Sequence, residues 1–314
     1  MSGKRFGNGK IGSPNQHVES KYVAPKASPE QQGKEAAREI RDKGDSKSLG
    51  TFDIDKQVLT SFSRFIGEEK NLSDATKADA MAFQEERAKV GIVQTTLDKD
   101  RCSLQRFLGE KLPIIKLETE KGRLGTDYRH YNSDQITLIA EHQRENNAFA
   151  TELAAASGLR AHELLTLRLA TERPADSRLH QDKDWKNERF EGREGIRYTV
   201  VGKGGLCREV NVPARLAERL EERRLETPVT VQDRGINYTN YYNTSGGQSW
   251  SQSFGDSSRN TLGWSDGAHA LRHTYAEARM AELGNRGYEW KDRLTIVSQE
   301  LGHFRPDITI TYLR

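Results

Sequence analysis

From residue 48 onward the apolar residues recur at intervals of three and four, the spacing of one helical face, and this constrains the chain more than any other feature. Ile54, Val58, Leu59, Phe62, Phe65 and Ile66 mark the first such face. A second helix is predicted from an N-cap at Ser73-Asp74, with Ala78, Met81, Ala82 and Phe83 turned inward and Gly91 ending it. A third is predicted to open at Gln94-Thr95-Thr96, to bury Leu97, Leu104, Phe107 and Leu108, and to close at Pro113. Residues 48–122 thus read as a small all-helical domain, with a polar linker at Glu118-Thr119-Glu120-Lys121-Gly122-Arg123.

Beyond it, residues 123–314 read as a mixed domain. Ser133 can cap a helix carrying Ile136 and Ile139, and another runs through Phe149, Leu153 and Ala156 to Gly158. Ile196 to Val201 and Leu206 to Val212 are rich in β-branched residues and flank Gly202-Lys203-Gly204-Gly205, which predicts a hairpin. Residues 215–226 predict a charged helix. Residues 232–267, rich in Gly, Ser, Asn, Tyr and Trp, predict loops around one short helix between Ser249 and Leu262. Residues 1–47 carry ten Lys/Arg against six Asp/Glu with little aliphatic periodicity, and read as a flexible basic arm. A solubilising tail and a DNA-contacting arm both fit it.

Composition narrows function only by exclusion. No stretch approaches the roughly 20 apolar residues of a membrane span, the N-terminus lacks the apolar core of a secretion signal, and two cysteines cannot build a disulfide framework. A reducing cytoplasm and no membrane partner are expected. The net charge of +3 permits nucleic-acid binding without demanding it.

Three segments near the C-terminus carry the chemistry. They are Ser157-Gly158-Leu159-Arg160-Ala161-His162-Glu163, then His269-Ala270-Leu271-Arg272-His273, and finally Leu301-Gly302-His303 followed nine residues later by Tyr312. In this order, with the Gly-Lys-Gly hairpin between the first two, they resemble the tyrosine recombinases of the phage-integrase family, over about residues 48–314. The resemblance implies a mainly α protein with a small β-hairpin or sheet, built as a two-domain DNA clamp. Its parts would be a SAM-like helical core-binding domain and a mixed α/β catalytic domain. It also implies Arg160 and Arg272 as paired catalytic arginines, Lys203 as the hairpin lysine, His269 and His303 as the two histidines and Tyr312 as nucleophile. Glu163, His273, Thr274, Thr309 and Thr311 match the flanks of these motifs, and His162 and His273 are expected to be structural.

The implied reaction explains the residue types. Phosphodiester cleavage concentrates negative charge on the non-bridging oxygens, which planar guanidinium forks can clamp. A phenol with a pKa near 10 needs a base and nearby cations to attack at neutral pH. His269 is the expected base, His303 a donor to the phosphate and Lys203 the acid that protonates the departing 5′-oxygen. A 3′-phosphotyrosine results, and another strand can reverse it without ATP, metal or other cofactor. The implied partner is double-stranded DNA, held by a homotetramer on two sites, with accessory DNA-bending or directionality proteins as further candidates. Integration or excision of a mobile element is the expected role. Alternatives are chromosome or plasmid dimer resolution, a type IB topoisomerase and a non-cleaving DNA-binding regulator.

Two features depart from the family pattern. The 31-residue interval from Arg272 to His303 predicts an insertion at residues 284–293, and two residues follow Tyr312 where relatives carry a docking tail. Subunit coupling is therefore expected through that insertion or the arm. His180, Asp182, Asp184 and Glu188 read as a surface loop around Trp185, and Cys207 as a packed thiol.

Overall fold

A computed structural model describes residues 27–46, 48–67, 70–117, 130–177, 184–202 and 204–313. The chain divides into two compact units, Met1–Lys121 and Gly122–Arg314. It is helix-rich with small antiparallel sheets. Among the described residues no helix is long and apolar enough to cross a membrane.

The first unit packs α1 (Pro29–Asp42), α2 (Leu49–Ile66), α3 (Lys77–Lys89) and α4 (Gln94–Leu108) around Leu59, Phe62, Phe83 and Leu104. Helix α1 corrects the expectation of a flexible arm across residues 29–42. Ser28 caps it, Pro29 opens it, and Gly33, Ala36, Ala37 and Ile40 form a buried stripe at helical spacing. A Cβ on Gly33 would stand 2.5 Å from the Thr60 backbone nitrogen and 2.8 Å from its Cα, so α1 and α2 meet backbone to backbone. The remainder of the expected arm, residues 1–26 and Lys47, and the expected linker 118–123 lie outside the described residues. Helix α3 starts later than predicted, at a Thr76–Asp79 capping box, and buries Ala80, Phe83 and Gln84 while Ala78 and Ala82 face outward. Helix α4 stops at left-handed Gly109, before Pro113.

The second unit begins with α5 (Ser133–Glu141), capped by Asn132 one residue before the expected cap, and α6 (Glu145–Ser157). A three-stranded antiparallel sheet follows, β1 (Arg168–Leu169), β2 (Ile196–Val201) and β3 (Cys207–Val212), in the order β1-β2-β3 with Val200 opposite Arg208. Next comes α7 (Ala214–Glu221), five residues shorter at its end than the helix predicted from 215–226. The chain then forms a two-stranded ribbon absent from the sequence reading, β4 (Arg224–Asp233) and β5 (Ile236–Tyr242). Its root is held where Tyr198 and Tyr242 both donate to Glu221 Oε1, at 2.6 and 2.9 Å.

Helices α8 (Gly247–Leu262), α9 (Leu271–Asn285), α10 (Trp290–Glu300) and α11 (Pro306–Tyr312) complete the unit. Residues 284–293, read from the sequence as an insertion, form the close of α9, a short turn and the start of α10. Over its described part the Trp185 segment is a largely exposed loop, as expected, and it is anchored at several points. Lys186 N–H donates to Gln299 Oε1 at 2.6 Å, Gln299 Nε2 donates to the Asp184 carbonyl at 3.0 Å, and Trp185 packs on Phe304. His180 and Asp182 lie outside the described residues. Cys207 is a buried thiol, as expected.

Candidate active site

Two glycines shape the backbone that carries the site. Helix α6 ends at Gly158, φ +62°, where a Cβ would press within 3.0 Å of Leu301 Cδ2 and 2.9 Å of the Tyr275 ring. Helix α10 ends just before Gly302, φ +75°, where a Cβ would come within 2.6 Å of Arg208 Cδ. These two left-handed turns lie against one another and present Arg160 and His303 to a common cleft of about 210 Å³. Gly202, Leu206, Arg208 and Gly302 complete its lining.

Glu163 is the electrostatic centre. It is fully buried; the Arg160 backbone N–H donates to its Oε2 at 2.8 Å, Arg160 Nη1 to its Oε1 at 2.7 Å and Arg208 Nη2 to its Oε2 at 2.8 Å. Arg272 Nη1 stands 3.8 Å from the same carboxylate. Burial would raise the Glu163 carboxyl, but Arg208, Arg272 and Arg160 outweigh it and hold it well below the usual carboxylate range. Three guanidinium groups against one carboxylate leave the cleft electropositive.

Arg272 is wholly buried. Its Nη1 donates to the Gly158 carbonyl and its Nη2 to the Leu301 carbonyl at 2.7 Å, so it braces the last turns of α6 and α10. Burial and then Arg160 push its pKa down to about 10. Its Cζ lies 5.6 Å from the centre of the Tyr312 ring.

Tyr312, 6% exposed on α11, brings its hydroxyl to 3.3 Å from His303 Nε2. The same nitrogen lies 3.0 Å from Arg160 Nη2. A guanidinium can only donate, so Nε2 is the acceptor, the His303 proton sits on Nδ1, and the Tyr312 hydroxyl donates to Nε2. Burial, then Arg160, Arg272 and Arg208, pushes the His303 pKa down to about 3, so the ring is neutral. His269 lies beside Tyr312 with ring centres 5.8 Å apart, and its outer face is exposed. Desolvation, then Arg272 and His273, pushes its pKa down to about 4. Hence His303, not His269, is the ring within hydrogen-bond reach of the phenol. His273 Nδ1–H donates to the Tyr312 carbonyl at 3.1 Å and anchors the end of α11.

The structure therefore gathers Arg160, His269, Arg272, His303 and Tyr312, while Lys203 lies outside the described residues. The hairpin that bears it adjoins the cleft through Gly202 and Leu206. Sequence reading treated Glu163 only as a flank and missed Arg208 altogether. The signal lies in the strand register, which sets this charged residue opposite apolar Val200 on a buried strand, a position that requires a partner.

No family model and no curated protein sequence matches the chain. Solved structures do. The Tn1549 transposon integrase in complex with a circular intermediate DNA matches at 14% identity and a TM-score of 0.52, covering 92% of this chain and 96% of that one. The XerH site-specific recombinase bound to a palindromic difH substrate matches at 16% identity and a TM-score of 0.52, covering 91% and 93%. With both matches spanning nearly the whole chain, the protein has the tyrosine-recombinase fold.

Proposed function

We propose that the protein is a site-specific DNA recombinase that breaks and rejoins strands through a 3′-phosphotyrosyl intermediate. The carrying observation is the Tyr312 hydroxyl at 3.3 Å from a neutral His303, beside the Arg160 guanidinium that Glu163 fixes. A phosphodiester entering the cleft meets Arg160, which donates to a non-bridging oxygen and neutralises charge as phosphorus becomes five-coordinate. Tyr312 passes its proton to His303 Nε2, and its oxygen forms the new bond to phosphorus. The bond to the 5′-oxygen breaks, and that oxygen takes a proton from Lys203. The reverse sequence, with a 5′-hydroxyl from another strand, rejoins DNA. Arg272 acts in this reading as a brace and a fixed positive charge behind Tyr312; contacting phosphate would require it to exchange a carbonyl bond. His269 stands ready as a second proton carrier.

Integration or excision of a mobile element, a homotetramer on two DNA sites and a clamp formed with a SAM-like helical unit complete the proposal. Both similar proteins are described with DNA, which supports double-stranded DNA as the partner. The test is direct. Footprinting on the DNA flanking the gene locates the site, and a nicked suicide substrate of that sequence should give an SDS-stable adduct mapping to Tyr312. Binding without any adduct would replace the proposal with a regulator, and relaxation of arbitrary supercoiled DNA by a monomer would replace it with a swivelling topoisomerase.

A further inference from the structure

A buried residue that faces no solvent ties the separate parts of the cleft together. Arg208 Nη2 donates to Glu163 Oε2 at 2.8 Å, and its Nη1 donates to the Glu300 carbonyl at 2.6 Å. Glu163 is what fixes Arg160. Glu300 is the last residue of α10, three before His303, and its carbonyl is one of those a helix leaves without an internal partner. The Arg208 stem also forms the floor under the Gly302 turn, closely enough that no Cβ fits between them. Strand β3, which carries Arg208, descends directly from the lysine hairpin.

Stability alone does not call for an arginine here. Replacing a buried ion pair by well-packed apolar groups is often neutral or favourable, whereas a rigid planar fork with two fixed acceptors imposes a distance between them. The acceptors in question belong to the segments that carry Arg160 and His303. Both Nη atoms are committed, and the side chain is wholly buried, so the fork is spent on protein rather than available to a phosphate.

We propose that Arg208 is a positioning residue for strand cleavage: by bonding Glu163 and the Glu300 carbonyl at once, it sets the separation of Arg160 and His303 while touching no DNA. This rests on the recombinase reading above. The role differs from that of Arg272, which holds the neighbouring carbonyls of Gly158 and Leu301 and lies behind the Tyr312 ring.

The test uses the full-length protein and the suicide substrate, reading DNA affinity and single-turnover adduct formation separately. In Arg208→Lys one ammonium cannot span both acceptors, so the cleavage rate should fall about 10²-fold, the scale of an ångström-sized misplacement. DNA affinity should stay within about twofold of wild type, the mark of an interaction felt only in the chemical step. In Arg208→Ala, millimolar guanidinium should restore part of the rate by refilling the fork's place beside the open cleft. A merely structural defect would show no such recovery, since millimolar guanidinium changes stability by well under about 0.1 kcal/mol. If the alanine variant does not fold, Arg208→Met, which keeps the stem under Gly302, takes its place in the same comparison. A wild-type cleavage rate in Arg208→Lys, or a rate loss that follows affinity and melting temperature with no recovery in guanidinium, overturns the positioning role alone. Absence of any adduct with the wild-type protein overturns the recombinase reading and this inference with it.

Discussion

Glu163→Gln isolates the carboxylate on which the cleft is built. The substitution keeps the shape and one acceptor oxygen but removes the one negative charge that, among the described residues, Arg160 and Arg208 contact directly, with Arg272 3.8 Å away. Each guanidinium contact at about 4 Å between charge centres is worth ~4 kcal/mol at the effective dielectric of such sites, offset by desolvation and by repulsion among the arginines. Removing one partner of a fully buried pair costs about 3–5 kcal/mol net. In a unit of this size each kcal/mol lowers Tm by about 2–4 °C, so Glu163→Gln should melt roughly 6–20 °C below wild type.

Scanning calorimetry reads the effect, with Glu172→Gln as control. Its partner Arg224 is one-third exposed and paired also with Glu221, so that change should cost no more than about 1 kcal/mol. The pH dependence carries a sign. Because the folded Glu163 carboxyl is held far below its unfolded value of about 4.3, its stabilisation is fully present above that value and lost as pH falls below it. The gap between variant and wild type should thus be constant above about pH 5 and narrow below about pH 4. Addition of DNA should recover part of the loss at neutral pH, since a phosphate supplies the missing negative charge. A Tm within about 3 °C of wild type, or a gap that widens on acidification, would falsify the assignment of Glu163 as the centre of the site.

Tyr312→Phe should bind the footprinted site normally and form no SDS-stable adduct; an adduct in this variant removes Tyr312 from the mechanism. Lys203→Ala should regain cleavage on a 5′-bridging phosphorothiolate, whose thiolate leaves without a proton, whereas Arg160→Ala should not. Equal failure of both variants on that substrate would assign the lysine to DNA placement. His269 and His303 are neutral in the free protein, and a bound phosphate offsets the arginines and raises both pKa values, so DNA binding should take up protons and tighten as pH falls from about 7 toward about 5. Calorimetry in buffers of different ionisation enthalpy measures that uptake, and net proton release would contradict the reading. Gly33→Ala should destabilise the first unit by about 1–3 kcal/mol through overpacking against the Thr60 backbone, and an unchanged denaturant midpoint would place α1 off α2.

What the sequence made legible was the set of residues that chemistry constrains, and what it concealed was held by other forces. Arg160, Arg272, His303 and Tyr312 stand out through the order of motifs that resemble the tyrosine recombinases, and the hairpin at 196–212 because glycines separate two β-branched runs. Helix α1 escaped notice because its buried stripe is Gly33, Ala36, Ala37 and Ile40, of which three are small residues suited to close approach and only one is a large apolar side chain. The inward face of α3 was misplaced because Gln84 is buried among Ala80 and Phe83, which breaks the apolar pattern. The β4–β5 ribbon is exposed on both faces over most of its length, so its strands show no alternation, and its left-handed turn at Arg234-Gly235 lacks the usual asparagine or aspartate. Arg208 could be found only once the strand register was known.

Arg160 Nη2 spends on His303 Nε2 a hydrogen bond that, on the recombinase reading, a phosphate oxygen must claim. The two demands compete for one donor. When the phosphate takes it, His303 Nε2 keeps the Tyr312 hydroxyl as its single donor, and the phosphate's negative charge offsets Arg160, which after burial does most to suppress the basicity of that ring. Arrival of substrate would thus strengthen the base at the moment the nucleophile needs it. The remaining cations do not follow the phosphate, because Arg208 and Arg272 are tied to the Glu300, Gly158 and Leu301 carbonyls. A fixed pair of buried arginines and one exchangeable arginine at the surface of the cleft therefore divide two tasks, holding the geometry and sensing the substrate, that a set of equally mobile side chains could not keep apart.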